Sequence, residues 1–188
     1  MAYEISEGAA AGALFLSDAD LTLMATTGTD KEKIKGVMSR LYENLGKTKI
    51  QMGASASRYL AWFDPEKLDD PKGQAFGKDT DAKLTAVVQG CSAALGIRKF
   101  MAAEGDKWTA AAADVKVYVT GAAWDPAISF LKVPDSSGWQ DYNSSDLVIV
   151  KGNCYYGISL KKKEKEASAD PTMINKSFVK LLESDTKM

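Results

Sequence analysis

The chain has 188 residues, of which 45% are apolar and 26% charged. That is the balance of a globular protein able to bury a core, with room for one domain or for a core carrying a helical extension. The net charge of −1 gives no bulk attraction to a polyanion, so any nucleic-acid contact needs a local basic patch.

Histidine is absent. This removes Ser-His-Asp and Cys-His catalysis, nucleases with a histidine base, and every zinc site that mixes cysteine with histidine. What remains is carboxylate–metal, lysine or Ser-Lys chemistry, or no chemistry. Cys91 and Cys154 are the only cysteines, too few for a disulfide framework or an all-thiolate zinc cage, and both sit in apolar patterns. They read as buried free thiols in a reducing compartment. The start, Met1-Ala2-Tyr3-Glu4, lacks the basic region of a secretory signal. No apolar run approaches the roughly 20 residues of a membrane span. The expectation is a cytoplasmic or virion-associated protein with no membrane partner.

Residues 1–28 are small and weakly patterned, as in Gly8-Ala9-Ala10-Ala11-Gly12-Ala13-Leu14-Phe15-Leu16. They read either as a short helix docking on a partner or as a terminal arm. Residues 30–45 predict a helix capped by Thr29 or Asp30, with Ile34, Val37, Met38, Leu41 and Leu45 on one face and Gly46 as its stop. A further helix begins near Ala54, carries Tyr59-Leu60-Ala61-Trp62-Phe63 and ends at Asp64-Pro65. The next starts at Thr80 or Asp81, buries Leu84, Val88, Cys91 and Leu95, and reaches Gly105 with Gly96 as an end or interruption.

The texture then changes. Residues 115–120 alternate and are rich in β-branched side chains, which predicts a strand. Residues 124–137 read as loop. Two strands follow, 146–150 and 154–161, with Gly152-Asn153 as a hairpin turn between them. Residues 172–183 predict an amphipathic helix with Ile174, Phe178 and Leu181 inward.

With a two-residue turn, Lys151 stands opposite Cys154, and counting outward puts Asp146 opposite Ser159. Lys161 shares their face. One hairpin end thus gathers an aspartate, a serine and a lysine. The simpler reading is a charged strand end facing water, followed by a solvated run from Lys161 to Glu166. A Ser159–Lys161 nucleophile pair is disfavoured, because a basic lysine needs desolvation and more charges adjoin it. Trp108, Trp124, Trp139, Tyr142, Tyr155 and Tyr156 could stack on bases, yet core packing and loop anchoring explain most of them. No phosphate-cradling glycine loop is present.

The hairpin resembles that of the PD-(D/E)xK nuclease superfamily, in which an aspartate opens one strand and an acid-x-lysine triplet lies on the next. The matching residues are Pro134-Asp135 or Asp146, then Ser159-Leu160-Lys161. The run Gly157–Lys162 followed by Ala169-Asp170-Pro171-Thr172 is also similar to uncharacterised tailed-phage proteins. The resemblance implies a mixed α+β, restriction-endonuclease-like fold. A helical region, 1–78, would precede a core, 79–188, in which a small mixed sheet with the hairpin is flanked by helices. A further strand normally follows the last helix of that core; it would be absent here, or the chain a fragment.

It also implies a nuclease acting on DNA, or RNA, with Mg²⁺ or Mn²⁺ bound by Asp146, Asp114 and Asp135. Asp146, Ser159 and Lys161 would form the catalytic set, and Lys162, Lys163 and Lys165 would hold the nucleic acid. The sequence departs from the pattern at Ser159, where the triplet has an acid; Glu43, Glu104 or Asp135 could supply the missing carboxylate. The alternative is a non-catalytic phage structural or assembly protein that keeps a nuclease-like fold and contacts other phage proteins or itself.

Overall fold

A stretch of small residues forms the centre of the molecule. The computed structural model describes residues 2–27, 30–68, 80–103, 105, 108, 115–120, 124–132, 145–160 and 171–173. Its first helix, α1, runs Ala2–Ala13, and every residue from Ile5 to Leu14 is buried. The terminal arm considered for this segment is therefore replaced by a central helix. It is touched by α3 (Lys31–Leu45), α4 (Ala56–Phe63), α5 (Thr80–Ala103) and strand β2 (Val115–Val119). A helix without a polar face is stable only when surrounded, and alanine and glycine let its neighbours come close.

The spacings show how close. A Cβ added at Gly8 would stand 2.7 Å from the Tyr59 ring and 2.9 Å from Phe63. One added at Gly90 of α5 would stand 2.5 Å from both the Ala9 Cβ and the Ser6 carbonyl oxygen, and 2.8 Å from the Ala10 nitrogen. The one buried acid among the described residues, Glu7, accepts a hydrogen bond from the Tyr59 hydroxyl at 3.1 Å. Asn44 of α3 donates to the Gly12 carbonyl at 3.1 Å.

Arg98 of α5 closes the far end of α1. Its Nη2 donates to the carbonyls of Leu14 at 2.6 Å and Leu16 at 2.5 Å, with Ala13 at 3.5 Å. Helix ends leave such carbonyls without intrahelical partners, and here a side chain supplies the donors. Nη1 reaches Asp18 at 2.8 Å, at the start of α2 (Asp18–Thr27). Burial holds the Arg98 pKa below its ordinary value, with Asp18 opposing the shift.

The remaining helices follow their sequence signals. Asp30 caps α3 by accepting from the Lys33 amide, and that bond is the main reason its pKa is lowered. Ile34, Val37, Met38, Leu41 and Leu45 are all buried, as expected. A 3₁₀ turn at Gly53–Ser55 leads into α4. Helix α5 runs unbroken through Gly96. Helix α2 was not anticipated; Ser17 Oγ accepts from the Asp20 amide at its start.

The chain is mixed α+β. Five strands lie in the spatial order β1-β2-β3-β4-β5, namely Ile50–Gln51, Val115–Val119, Leu147–Lys151, Cys154–Leu160 and Pro171–Met173. β1 is parallel to β2, and the other pairs are antiparallel. β1 was not foreseen. Thr172 and Met173, expected to open a helix, belong instead to a strand paired with β4; the rest of that expected helix, 174–183, lies outside the described residues.

One sheet face carries Val115, Val117, Val119, Leu147, Ile149, Tyr156 and Ile158 into the same buried cluster as the helices. The other face carries Tyr118 and Val148 beneath a 3₁₀ turn, Pro126–Leu131, whose Ile128 and Leu131 are buried on it.

Two stability predictions follow from the α1 contacts. Gly90→Ala should lower stability by about 1–3 kcal/mol, because overpacking outweighs the gain in helix propensity. Gly36→Ala, with nothing within 4 Å of the added Cβ, should instead raise it by about 0.5–1 kcal/mol. Urea melts of both variants check the contrast; equal effects would refute the close approach. Arg98→Met should cost about 2–4 kcal/mol through unsatisfied carbonyls. Asp18→Asn should cost under about 0.5 kcal/mol, since that carboxylate is 92% exposed.

Candidate functional site at the open end of the hairpin

The hairpin has the register that the turn signal predicts. Gly152 takes the positive φ, 56°, that a tight turn needs, and Lys151 pairs with Cys154. Pairing continues outward to Leu147 opposite Ile158. The regular pairs end there, with Asp146, Ser159 and Thr120 each the next residue along its own strand. Ser159 in turn pairs with Thr172 of β5. A polar row, Thr120, Asp146 and Ser159, thus lies at the open end of the sheet, on the strand alternation that Tyr118, Val148 and Tyr155 share with the face away from the helices.

Asp146 is tied there by its backbone and its side chain. Its amide donates to the Ile158 carbonyl at 2.7 Å, and its carbonyl accepts from the Thr120 amide at 3.0 Å. Its Oδ2 accepts from the Leu160 amide at 2.5 Å. The Thr120 hydroxyl donates to the Ser145 carbonyl. The carboxylate therefore replaces a strand acceptor where the β3–β4 ladder ends, which fixes its position to the hairpin backbone.

Ser159 is fully buried, and among the described residues its Oγ has no hydrogen-bond partner; the Ser145 Oγ is in the same condition. An unsatisfied buried hydroxyl costs about 1–3 kcal/mol and calls for an explanation.

The other expected site residues divide clearly. Lys161, Asp114, Asp135, Glu104, Lys162, Lys163 and Lys165 all lie outside the described residues. Glu43 is exposed on α3, in the helical layer. Among the described residues, no three Cys, Asp or Glu side chains come together as a metal-binding group. Of the three aspartates expected to hold a metal, Asp146 alone is among the described residues.

A second feature of this face joins Trp124 and Tyr155 to Phe130 and Lys132, two residues that the sequence did not single out. Phe130, on the 3₁₀ turn, is 57% exposed and meets Tyr155 edge-on at 5.5 Å between ring centroids. Lys132 Nζ lies 5.5 Å from the Trp124 ring centroid. Both Trp124 and Tyr155 pack against the cluster that holds Tyr118. Burial, then Asp125 and Tyr155, raises the Tyr118 pKa. The sequence signal was faint, since Phe130 reads as an ordinary apolar residue within a loop.

Neither cysteine adjoins this row. Cys91 is buried in α5, where desolvation pushes its thiol up to about 12, and Cys154 is half-buried at the hairpin turn. Among the described residues no helix is long and apolar enough to cross a membrane. Comparison of the chain with known protein families, with curated proteins and with solved structures returns no significant match.

The thiolate is the reacting form of cysteine, so a thiol held near 12 is inert at neutral pH. Labelling the native protein with a thiol reagent at pH near 8 should modify Cys154 and spare Cys91 until denaturant is added. Rapid native labelling of Cys91 would contradict its burial.

Proposed function

We propose that the chain is a divalent-metal-dependent nuclease, of the PD-(D/E)xK kind, with its centre at the open end of the hairpin. The observation that carries this reading is the Asp146 carboxylate held by the Leu160 amide at the open end of the hairpin, where Lys161 follows in sequence. In this reading Asp146 is the first metal ligand, Asp114 or Asp135 the second, and Lys161 orients the attacking water or neutralises charge developing on the phosphate. Lys162, Lys163 and Lys165 hold the phosphate backbone. A bound Mg²⁺ or Mn²⁺ would supply Lewis-acid activation of water and phosphoryl oxygen. The chain's own part is to fix the carboxylate through the Leu160 amide. A restriction-endonuclease-like core belongs to the same proposal, with one difference: β5 returns antiparallel to β4.

A second reading has its own observation. Asp146 Oδ2 already serves the ladder, and a buried serine stands where the triplet has an acid. A phage structural or assembly protein could retain both for stability alone.

Asp146→Asn separates the two. The amide oxygen can still accept from Leu160, so the fold should persist, while the charge a metal needs is gone. The nuclease reading expects Mn²⁺ binding by calorimetry in wild type, weakened roughly 10-fold or more in the variant. It also expects divalent-dependent cleavage that Lys161→Met abolishes. Unchanged Mn²⁺ affinity, or no binding in wild type, favours the structural reading and refutes the metal centre.

A further inference from the structure

The face that carries the polar row also carries rings and cations at its opposite end. The sheet register sets Lys116 beside Val150, and Val150 beside Tyr155, in one cross-strand row. Lys116 and Lys132 are exposed. Phe130 presents most of its ring to solvent while Tyr155 holds it edge-on. Trp124 lies under the Lys132 ammonium. Large exposed aromatics are uncommon on a closed surface, and a ring fixed by a neighbouring ring loses little entropy on gaining a stacking partner. Rings interleaved with lysines suit a ligand that alternates flat bases with phosphates. A duplex keeps its bases inside its own stack; only an unpaired strand offers them.

We infer that this patch, Lys116, Trp124, Phe130, Lys132 and Tyr155, binds single-stranded nucleic acid, with a base stacked on Phe130 and phosphates held by the two lysines. This deepens the nuclease proposal and rests on it for its biological meaning. Four residues along β4 separate Tyr155 from Ser159, about 13 Å at strand rise. Asp125 is the one described acid beside the patch, and its Oδ1 is committed to capping the 3₁₀ turn through the Ala127 amide.

The test is fluorescence anisotropy with a labelled oligothymidylate of roughly 20 nucleotides, against a duplex of equal length, in EDTA. Removing metal uncouples binding from the hairpin centre, so the patch can fail while Mn²⁺ binding survives, and the reverse. The single strand should bind more tightly than the duplex. Phe130→Ala, a surface change that leaves the fold intact, should weaken binding about 10-fold, the loss of one stacked base. Lys132→Ala should reduce the slope of log affinity on log salt by about 0.7, one phosphate's worth for a single strand. Preference for the duplex, no binding, or affinity indifferent to Phe130→Ala would overturn the inference. So would self-association of the wild type that Phe130→Ala abolishes, since a second copy would then be the occupant.

Discussion

The fold depends on the approach of α1 to α5. At Gly90 the two helices meet with no room for a single methyl group, and Ser6, Ala9 and Ala10 form the opposing surface. Interhelical distance is set by the side chains at the crossing, so small residues here bring two backbones into contact. Everything else is arranged around the result. α3 and α4 close the remaining sides of α1, β2 lies against it, and Arg98 reaches across to satisfy its terminal carbonyls. Because protein interiors are close-packed, a change at this crossing is felt throughout the helical layer.

The helical layer in turn shapes the sheet. It takes the alternate residues of β2, β3 and β4 that are valine, leucine, isoleucine and tyrosine, and leaves their neighbours to the other side. On that side a 3₁₀ turn covers Tyr118 and Val148, and Thr120 and Ser159 are buried as well. Both features with functional potential lie there, the polar row at one end and the ring-and-lysine patch at the other. Strand alternation decides which residues this face carries, while its exposed members, Lys116, Phe130 and Lys132, lie at the patch end.

At the polar row a single side chain bears two possible roles. Asp146 ends the β3–β4 ladder by accepting from the Leu160 amide, a structural task that also pre-positions a carboxylate. Rigid placement by backbone contacts is what a metal ligand requires, so the structural and catalytic readings share the same geometry. The orphaned hydroxyl of Ser159 beside it is the less easily explained member, since a purely structural site would be more stable with an apolar residue there.

Local pattern was enough for much of this. Asp30 with its apolar stripe announced α3, β-branched alternation announced β2, and Gly152-Asn153 fixed the hairpin and its register, because cap, period and turn chemistry act over a few neighbouring residues. Other features were not legible. β1 and β5 are two and three residues long, too short to carry a period, and exist because a longer strand offers them an edge. Phe130 became notable only when the turn beneath it was pinned by Ile128 and Leu131. The alanine-rich start looked like an arm because small residues give no amphipathic signal. The sequence by itself determined α3, α4, α5, β2 and the hairpin, because cap, period and turn signals are local. Only the tertiary structure decided that the least patterned helix lies at the centre, since burial on all sides is a property of neighbours that no single segment encodes.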